Sequence, residues 1–225
     1  MKGTTIMIMN DISSPQSEEL KETPRRRGRP KLRTDEQIRA IILDAAFKRV
    51  LRNGYGGTHM DNLAFDCGIS KRTLYRLIPS KQDLFACLVA EHRKLMIDVP
   101  ADLPTEPPAE MLCRIFRTDL SAEEENLRRD FLDVCMADIR QFPELGAIIR
   151  REGAMRSKAA LTAWLESCHL AGTLRLPDRE RAATMLMDMV FGALPLKTGQ
   201  GTEWPGGEDR SAYMRACIDV FVRGH

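Results

Sequence analysis

The stretch DNLAFDCGISKRTLYRLIPSKQDLF, residues 61–85, decides the fold. An apolar helical pattern reaches Cys67, breaks at Gly68 and resumes directly after Ser70. Glycine adopts the left-handed conformation that ends a helix, and serine is a preferred first cap of the next one. The pattern therefore predicts two short helices joined by a tight turn.

The second of these helices, residues 71–77, is only about two turns long and keeps few side chains for a core. Leu74 and the preceding Ile69 are expected to fill the seam between the helices. The remaining side chains can hydrogen-bond an anion or a base edge: Lys71, Arg72, Thr73, Tyr75 and Arg76. This arrangement is typical of a helix-turn-helix, whose second helix enters the major groove of DNA while the first crosses the backbone.

The rest of the chain predicts helices and no convincing strand. Apolar residues recur at helical spacing after Thr34, Ser80, Ser121, Asp178 and Asp209, and Thr58 is expected to cap the second helix together with Asp61. We predict an all-α fold of about nine helices in three parts. These are a disordered basic arm (1–34), a three-helix DNA-binding domain (35–80) and a helical C-terminal domain (81–225).

The net charge of +2 conceals an asymmetry between the two parts of the chain. Residues 1–96 hold 18 Lys and Arg against 11 Asp and Glu, whereas residues 97–225 hold 16 against 21. A basic first part favours contact with a polyanion. A chance asymmetry is the alternative that charge alone leaves open.

Other classes of protein find little support in the sequence. We see no signal peptide and no membrane span. Six scattered cysteines without ligand-like spacing favour a reducing, cytoplasmic compartment. The four histidines form no ligand cluster, and no Ser-His-Asp, metal or phosphate-loop arrangement is visible. We therefore expect no enzyme, no cofactor and no bound metal.

Residues 41–85 resemble the N-terminal domain of the tetracycline-repressor (TetR) family of bacterial transcriptional regulators. The motifs that agree are ILDAA, the Gly-Tyr at residues 54–55, Leu-Ala in the second helix, GISK.TLYR, and PSK..LF at the start of the fourth helix. Leu77 departs from the family pattern, in which an aromatic residue or histidine is usual, and removes one expected phosphate contact.

The resemblance implies roles for particular residues. Thr58, Tyr75 and Lys81 would bind phosphate oxygens, and Lys71, Arg72, Thr73 and Arg76 would face the major groove. It also implies a homodimer on a palindromic operator and a C-terminal domain that binds a ligand. For each residue, a solvated surface side chain is the alternative.

The basic arm contains RRRGRPKLR, residues 25–33, whose Arg27-Gly28-Arg29-Pro30 core resembles an AT-hook. An extended backbone would let Arg27 and Arg29 enter a narrow A·T minor groove. A basic tail that adds only phosphate contacts is the alternative.

The C-terminal part carries methionines and aromatic residues at helical spacing. We expect a flexible pocket for a small, largely apolar effector, although core packing explains any single residue equally well. The candidate pocket residues are Met96, Met111, Phe131, Trp164 and Met187. Residues 178–194 and 210–223 are the candidate dimer interface. The sequence thus predicts a ligand-responsive repressor, with an architectural A·T-rich DNA-binding protein as the second hypothesis.

Overall fold

A computed structural model of the chain describes residues 33–100, 106–192 and 209–224. Residues 1–32 of the predicted arm, with Arg27 and Arg29, lie outside the described residues. From Thr34 onward the chain forms one compact unit. The described residues are helical with no strand, which confirms the predicted fold class.

The first helix, α1 (Asp35–Asn53), begins at a capping box. The Thr34 hydroxyl accepts a hydrogen bond from the Gln37 amide at 3.2 Å, and the Gln37 side chain accepts one from the Thr34 amide at 3.0 Å. Both amides would otherwise lack a partner at the open end of the helix. Gly54 ends α1 with a φ of +69°.

The predicted helix-turn-helix consists of α2 (Met60–Asp66) and α3 (Lys71–Leu77). Gly68 in the turn has a φ of +62°, and a β-carbon at this position would meet nothing within 4 Å. Glycine is therefore required for its backbone conformation rather than for space. Ser70 accepts a hydrogen bond from the Thr73 amide, and Leu74 is fully buried behind the exposed face of α3.

The predicted cap of α2 was wrong. The helix starts one residue later than expected, so that His59 occupies the cap position without a side-chain hydrogen bond. The Thr58 hydroxyl instead donates to the carbonyl oxygen of Gly54 at 2.8 Å. Thr58 thus stabilises the loop between α1 and α2 rather than the helix itself.

Seven more α-helices follow in the part of the chain that the structure describes. Their bounds are α4 (Lys81–His92), α5 (Pro108–Ile115), α6 (Ala122–Ile139), α7 (Glu144–Ile148), α8 (Arg156–Leu170), α9 (Arg179–Phe191) and α10 (Arg210–Arg223). A 3₁₀ turn, Arg93–Leu95, extends α4. A π-helical segment, Ile149–Met155, joins α7 to α8 without interruption, so residues 144–170 form the single long helix that the sequence predicts.

Buried side chains form two apolar cores. The first core combines α1, α2 and α3 with α4, part of α6 and α7. The second core combines α5, α8, α9 and α10. Because the helix-turn-helix shares its core with α4 and α6, a displacement of either helix is transmitted to it through close-packed side chains.

Candidate nucleic-acid interface and adjoining cavity

The five polar side chains predicted on α3 differ in whether they already form hydrogen bonds or ion pairs with other residues. Arg72 and Tyr75 are exposed and make no hydrogen bond or ion pair with the described residues. Tyr75 is 44% exposed, which is high for a tyrosine. These two side chains can therefore bind DNA without first giving up a hydrogen bond or ion pair to the described residues.

Arg76 is held by the first helix. Its two terminal nitrogens donate to the carboxylate of Asp35 at 2.6 and 2.8 Å, a bidentate geometry. These hydrogen bonds lower the pKa of Asp35. Both side chains remain more than half exposed, so the pair is screened by water and can be exchanged for another anion.

Lys71 and Thr73 are also engaged in local contacts. The Lys71 ammonium lies 2.6 Å from the carboxylate of Asp61 on α2, again at the surface. The Thr73 hydroxyl shares a 2.8 Å hydrogen bond with the Ser70 hydroxyl. Each contact holds a side chain in the first turn of α3.

The two residues predicted to bind phosphate outside α3 are both tied to the loop between α1 and α2. Thr58 is buried, and its hydroxyl donates a hydrogen bond to the carbonyl oxygen of Gly54. Lys81 donates to the carbonyl oxygen of Gly56 at 3.1 Å, and its ammonium lies 4.3 Å from the centre of the Tyr55 ring. Burial lowers the pKa of Lys81. In this conformation both residues support the loop.

The same loop is bonded to the end of α6. The Tyr55 amide donates to the carboxylate of Asp138 at 2.5 Å, across 83 residues of sequence. The Tyr55 ring packs edge-on against Phe142, with ring centres 5.1 Å apart. Asp138 and Phe142 therefore fix the entrance to the helix-turn-helix from the C-terminal part of the fold.

A cavity of about 350 Å³ lies between α4, α6, the π-helical segment and α9. Most of its wall is apolar. The residues that line it are Val89, His92, Arg93, Leu95, Met96, Ile97, Arg128, Phe131, Leu132, Cys135, Met136, Ile149, Gly153, Ala154, Ser157, Met187, Asp188 and Phe191. The volume is within the range of small-molecule sites in proteins.

The structure brings three of the five predicted pocket residues to this cavity: Met96, Phe131 and Met187. Met111 and Trp164 do not line it, because both are buried in the second core. Helical spacing does not distinguish these two environments, since a core residue and a cavity residue both face inward.

Aromatic contacts join the cavity to α1. The ring of His92 stacks on Phe47 with centres 3.6 Å apart and planes 13° from parallel. Phe131 lies 4.9 Å from His92 and 5.4 Å from Phe47, measured between ring centres. A molecule that displaces His92 or Phe131 would therefore press on the first helix of the helix-turn-helix unit.

Sequence reasoning missed three residues at these sites. Arg39 donates to the Leu77 carbonyl oxygen at 2.9 Å and to the Cys87 sulfur at 2.8 Å, and so ties α1 to the end of α3 and to α4. Asp138 and His92 were also missed. For His92 a signal existed, because it continues the apolar stripe of Leu84 and Leu88 at a spacing of four residues.

The described residues contain no cluster of three or more His, Cys, Asp or Glu side chains that could hold a metal ion. Within the same ranges, no helix is long and apolar enough to cross a membrane.

Two family models match the chain. Residues 42–88 match the model of the bacterial regulatory proteins of the tetR family. Residues 111–224 match the model of the AefR-like transcriptional repressor C-terminal domain. Together the two matches cover both the helix-turn-helix and nearly all of the second core. A comparison with curated protein sequences yields no match.

Solved structures with the same fold are numerous. The flavonoid-responsive regulator FrrA is 26% identical over 84% of this chain and 97% of its own, with a TM-score of 0.58. A TetR-family transcriptional regulator from Mesorhizobium loti is 18% identical over 85% of this chain and 98% of its own, with a TM-score of 0.62. GusR from Salmonella enterica is 20% identical over 86% and 99%, also with a TM-score of 0.62. The last two similarities establish the fold alone.

Proposed function

We propose that this chain, which belongs to the TetR family of bacterial regulatory proteins, represses transcription as a homodimer bound to a palindromic operator. Members of this family are ligand-responsive DNA-binding transcriptional regulators and not enzymes. The observation that carries the proposal is α3, whose Arg72 and Tyr75 are exposed and unpaired among the described residues. The architectural alternative finds no support, since the C-terminal part matches a repressor domain.

Arg72 is our first candidate for reading a base. An arginine can bond both acceptor atoms of a guanine edge in the major groove, and one such contact contributes about 1–3 kcal/mol of discrimination. Arg72 can make this contact without leaving another partner, whereas Arg76 must first release Asp35. Tyr75 would bind a phosphate and fix the position of the helix on the duplex.

Selection of bound sequences from random DNA tests this proposal. We expect one palindrome whose half-sites are separated by about 34–36 Å or a multiple of it, as two symmetry-related recognition helices require. Arg72→Ala should weaken the selected site roughly 5- to 150-fold and blur the preference at one position. Arg52→Ala is the matched control, because this exposed arginine lies in the last turn of α1 and not on the recognition helix α3. An equal loss of Arg72→Ala binding on all sequences would contradict base reading.

We further propose that the cavity holds the effector and that the effector is a flat aromatic molecule. The apolar wall and the rings of Phe131, His92 and Phe191 suit such a ligand. FrrA, which shares 26% of its residues with this chain, is flavonoid-responsive, and this similarity supports an aromatic effector.

Filling the cavity tests its role. A β-carbon at Gly153 would lie 3.6 Å from Val89, on the cavity wall. Gly153→Leu should therefore leave operator binding intact and prevent release by flavone, used as the aromatic probe. Gly146→Leu changes another half-buried helical glycine that lies outside the cavity wall, and it should respond like the parent protein. Equal responses of the two variants would place the effector elsewhere.

The contacts around the cavity support a mechanism of release. A ligand can weaken operator binding only if it binds better to a conformation in which the two recognition helices no longer fit the half-sites. Two helices of the cavity wall contact the DNA-binding part of the fold: α4 contacts α1 through the His92–Phe47 stack, and α6 contacts the α1–α2 loop through the Asp138–Tyr55 hydrogen bond. We propose that these two contacts transmit the change. Since coupling is reciprocal, operator DNA should weaken effector binding by the same factor.

A further inference from the structure

The orientation of His92 in the cavity wall is fixed on two sides. One ring face stacks on Phe47, and Nδ1 lies 3.0 Å from the carbonyl oxygen of Leu88. A carbonyl oxygen only accepts hydrogen bonds, so Nδ1 must carry the proton in this contact. The other nitrogen, Nε2, is then a hydrogen-bond acceptor when the ring is neutral. Burial lowers the pKa of His92 and favours this neutral form.

Nε2 can be reached from outside the packed side chains. Among the described residues, four buried side-chain nitrogen or oxygen atoms lack a hydrogen-bond partner, and they belong to Arg93, Thr118, Thr162 and Trp164. Nε2 of His92 is not one of them, and no group in the described ranges bonds to it. Since His92 lines the cavity, an acceptor with no protein partner is available to a molecule bound there.

The other polar groups of the wall do not offer an equivalent acceptor. The Arg128 guanidinium is occupied by the carboxylate of Glu125 and by the Met96 sulfur. Arg93 has only donors. Asp188 and Ser157 can accept hydrogen bonds, but no described contact fixes either side chain. His92 therefore presents the one acceptor of the described cavity wall whose direction the fold determines before a ligand arrives.

We infer that the effector carries a hydroxyl group, attached to its aromatic body, which donates a hydrogen bond to Nε2 of His92. This inference rests on the proposal that the cavity is the effector site. It makes His92 a specificity-determining residue, since an aromatic molecule without the hydroxyl would leave an acceptor unpaired in an apolar cavity. The same hydrogen bond would pull on a ring that is stacked on α1.

Binding of flavone and of its monohydroxylated derivatives to the full-length protein, measured by calorimetry, tests the inference. At least one hydroxylated derivative should bind the parent protein about three- to tenfold more tightly than flavone, the scale of one net hydrogen bond. His92→Phe keeps an aromatic ring against Phe47 and removes the acceptor, so it should abolish the difference while still binding flavone. His92→Gln, whose side-chain oxygen can accept, should restore part of it.

Two further variants separate His92 from the other acceptors of the wall. Asp188→Asn and Ser157→Ala should both retain the preference for the hydroxylated derivative. A preference that survives in His92→Phe, or disappears in Asp188→Asn or Ser157→Ala, would overturn the inference and leave the cavity as the effector site. Equal binding of all the probes to the parent protein would do the same. Binding of no probe at all would overturn the aromatic effector together with the inference.

Discussion

Arg76, near the end of the recognition helix α3, forms two parallel hydrogen bonds with Asp35 in the first turn of α1. One of the residues that the family resemblance assigns to the DNA major groove is therefore bonded to a carboxylate in the absence of DNA. DNA must compete with this carboxylate for Arg76. The pair also places a negative charge beside the surface that we propose to face a polyanion.

Removing this competitor should strengthen DNA binding. We expect Asp35→Asn to increase affinity about fivefold, the scale of one ion contact in water. If Arg76 reads a base, the gain should be confined to the selected operator; if it binds phosphate, the gain should extend to random DNA. Fluorescence anisotropy at constant salt measures both. Asp44→Asn removes the same charge from α1 at a residue paired only with Lys48. Equal gains in the two variants would show that only net charge matters.

The burial of His92 predicts a dependence of stability on pH. Because its pKa in the folded state is lowered from 6.5, the unfolded chain binds more protons in the interval just below 6.5. The free energy of unfolding should then fall as pH falls through this interval, with a slope of at most about 1.4 kcal/mol per pH unit from this one group. Urea titrations between about pH 5 and 8 measure it. His92→Phe should flatten the profile there; an unchanged profile would mean that another group is responsible.

The Asp138–Tyr55 contact should affect the effector-induced release of the operator more than it affects the binding of the effector or of the operator alone. Asp138→Ala leaves the Tyr55 amide without its acceptor and should lower the free energy of unfolding by about 1–3 kcal/mol. Flavone should bind the variant within about twofold of the parent protein, whereas the loss of operator affinity that it causes should shrink. Asp133→Ala is the matched control, since Asp133 is exposed on the same helix. Full release in Asp138→Ala would remove this contact from the coupling mechanism.

The elements set by local sequence signals could be predicted closely, and the contacts between them could not. Ser70, Gly68 and the spacing of Leu74 determine α3 within ten residues, and the predicted bounds of α3 and α10 agree with the structure. In contrast, the Arg76–Asp35 and Tyr55–Asp138 contacts join residues 41 and 83 positions apart. No local pattern encodes such pairings. The cap of α2 failed for the same reason, because the Thr58 hydroxyl bonds to the preceding loop.

The pocket shows a second limit of sequence reasoning. Met96, Phe131 and Met187 line the cavity, whereas Met111 and Trp164 lie in the second core, because only packing decides which inward side chains border a void. One polar member of the wall, His92, was harder to find, since a histidine in an apolar stripe usually belongs to the core. The Leu88 carbonyl that orients its ring belongs to the same helix, but the stack on Phe47 of α1 comes from tertiary structure.

The dimer interface is predicted to lie on α9 and α10. These helices pack against each other, yet Met185 on α9 remains 52% exposed and Val220 on α10 remains 64% exposed. Met185→Glu combined with Val220→Glu should yield a monomer by sedimentation and lose most operator affinity, because a single half-site offers too few contacts. Leu170→Glu alters an even more exposed apolar residue at the end of α8 and should remain a dimer. A dimer that survives the double change would move the interface elsewhere.

The basic arm before α1 should add contacts outside the half-sites. Residues 25–33 hold six Lys and Arg, including Arg27 and Arg29 of the hook-like core. Each neutralised phosphate adds about −0.9 to the slope of log K against log salt, so deletion of residues 1–33 should flatten the slope by several units. The dimer and the preference for the selected operator should persist, since α3 supplies the base contacts.

The composition of the DNA flanking the half-sites distinguishes minor-groove insertion from simple charge attraction. A narrow A·T minor groove concentrates negative potential, so an inserted arginine favours A·T-rich flanks over G·C-rich flanks. Salt titrations of the full-length and truncated proteins on both operators measure this difference. If Arg27 and Arg29 insert, the truncation should cost more affinity on A·T-rich flanks, and Arg27→Lys with Arg29→Lys should reduce that excess while preserving charge. An equal loss on both flanks would mean that the arm contributes charge alone, and an unchanged slope would mean that it does not touch DNA.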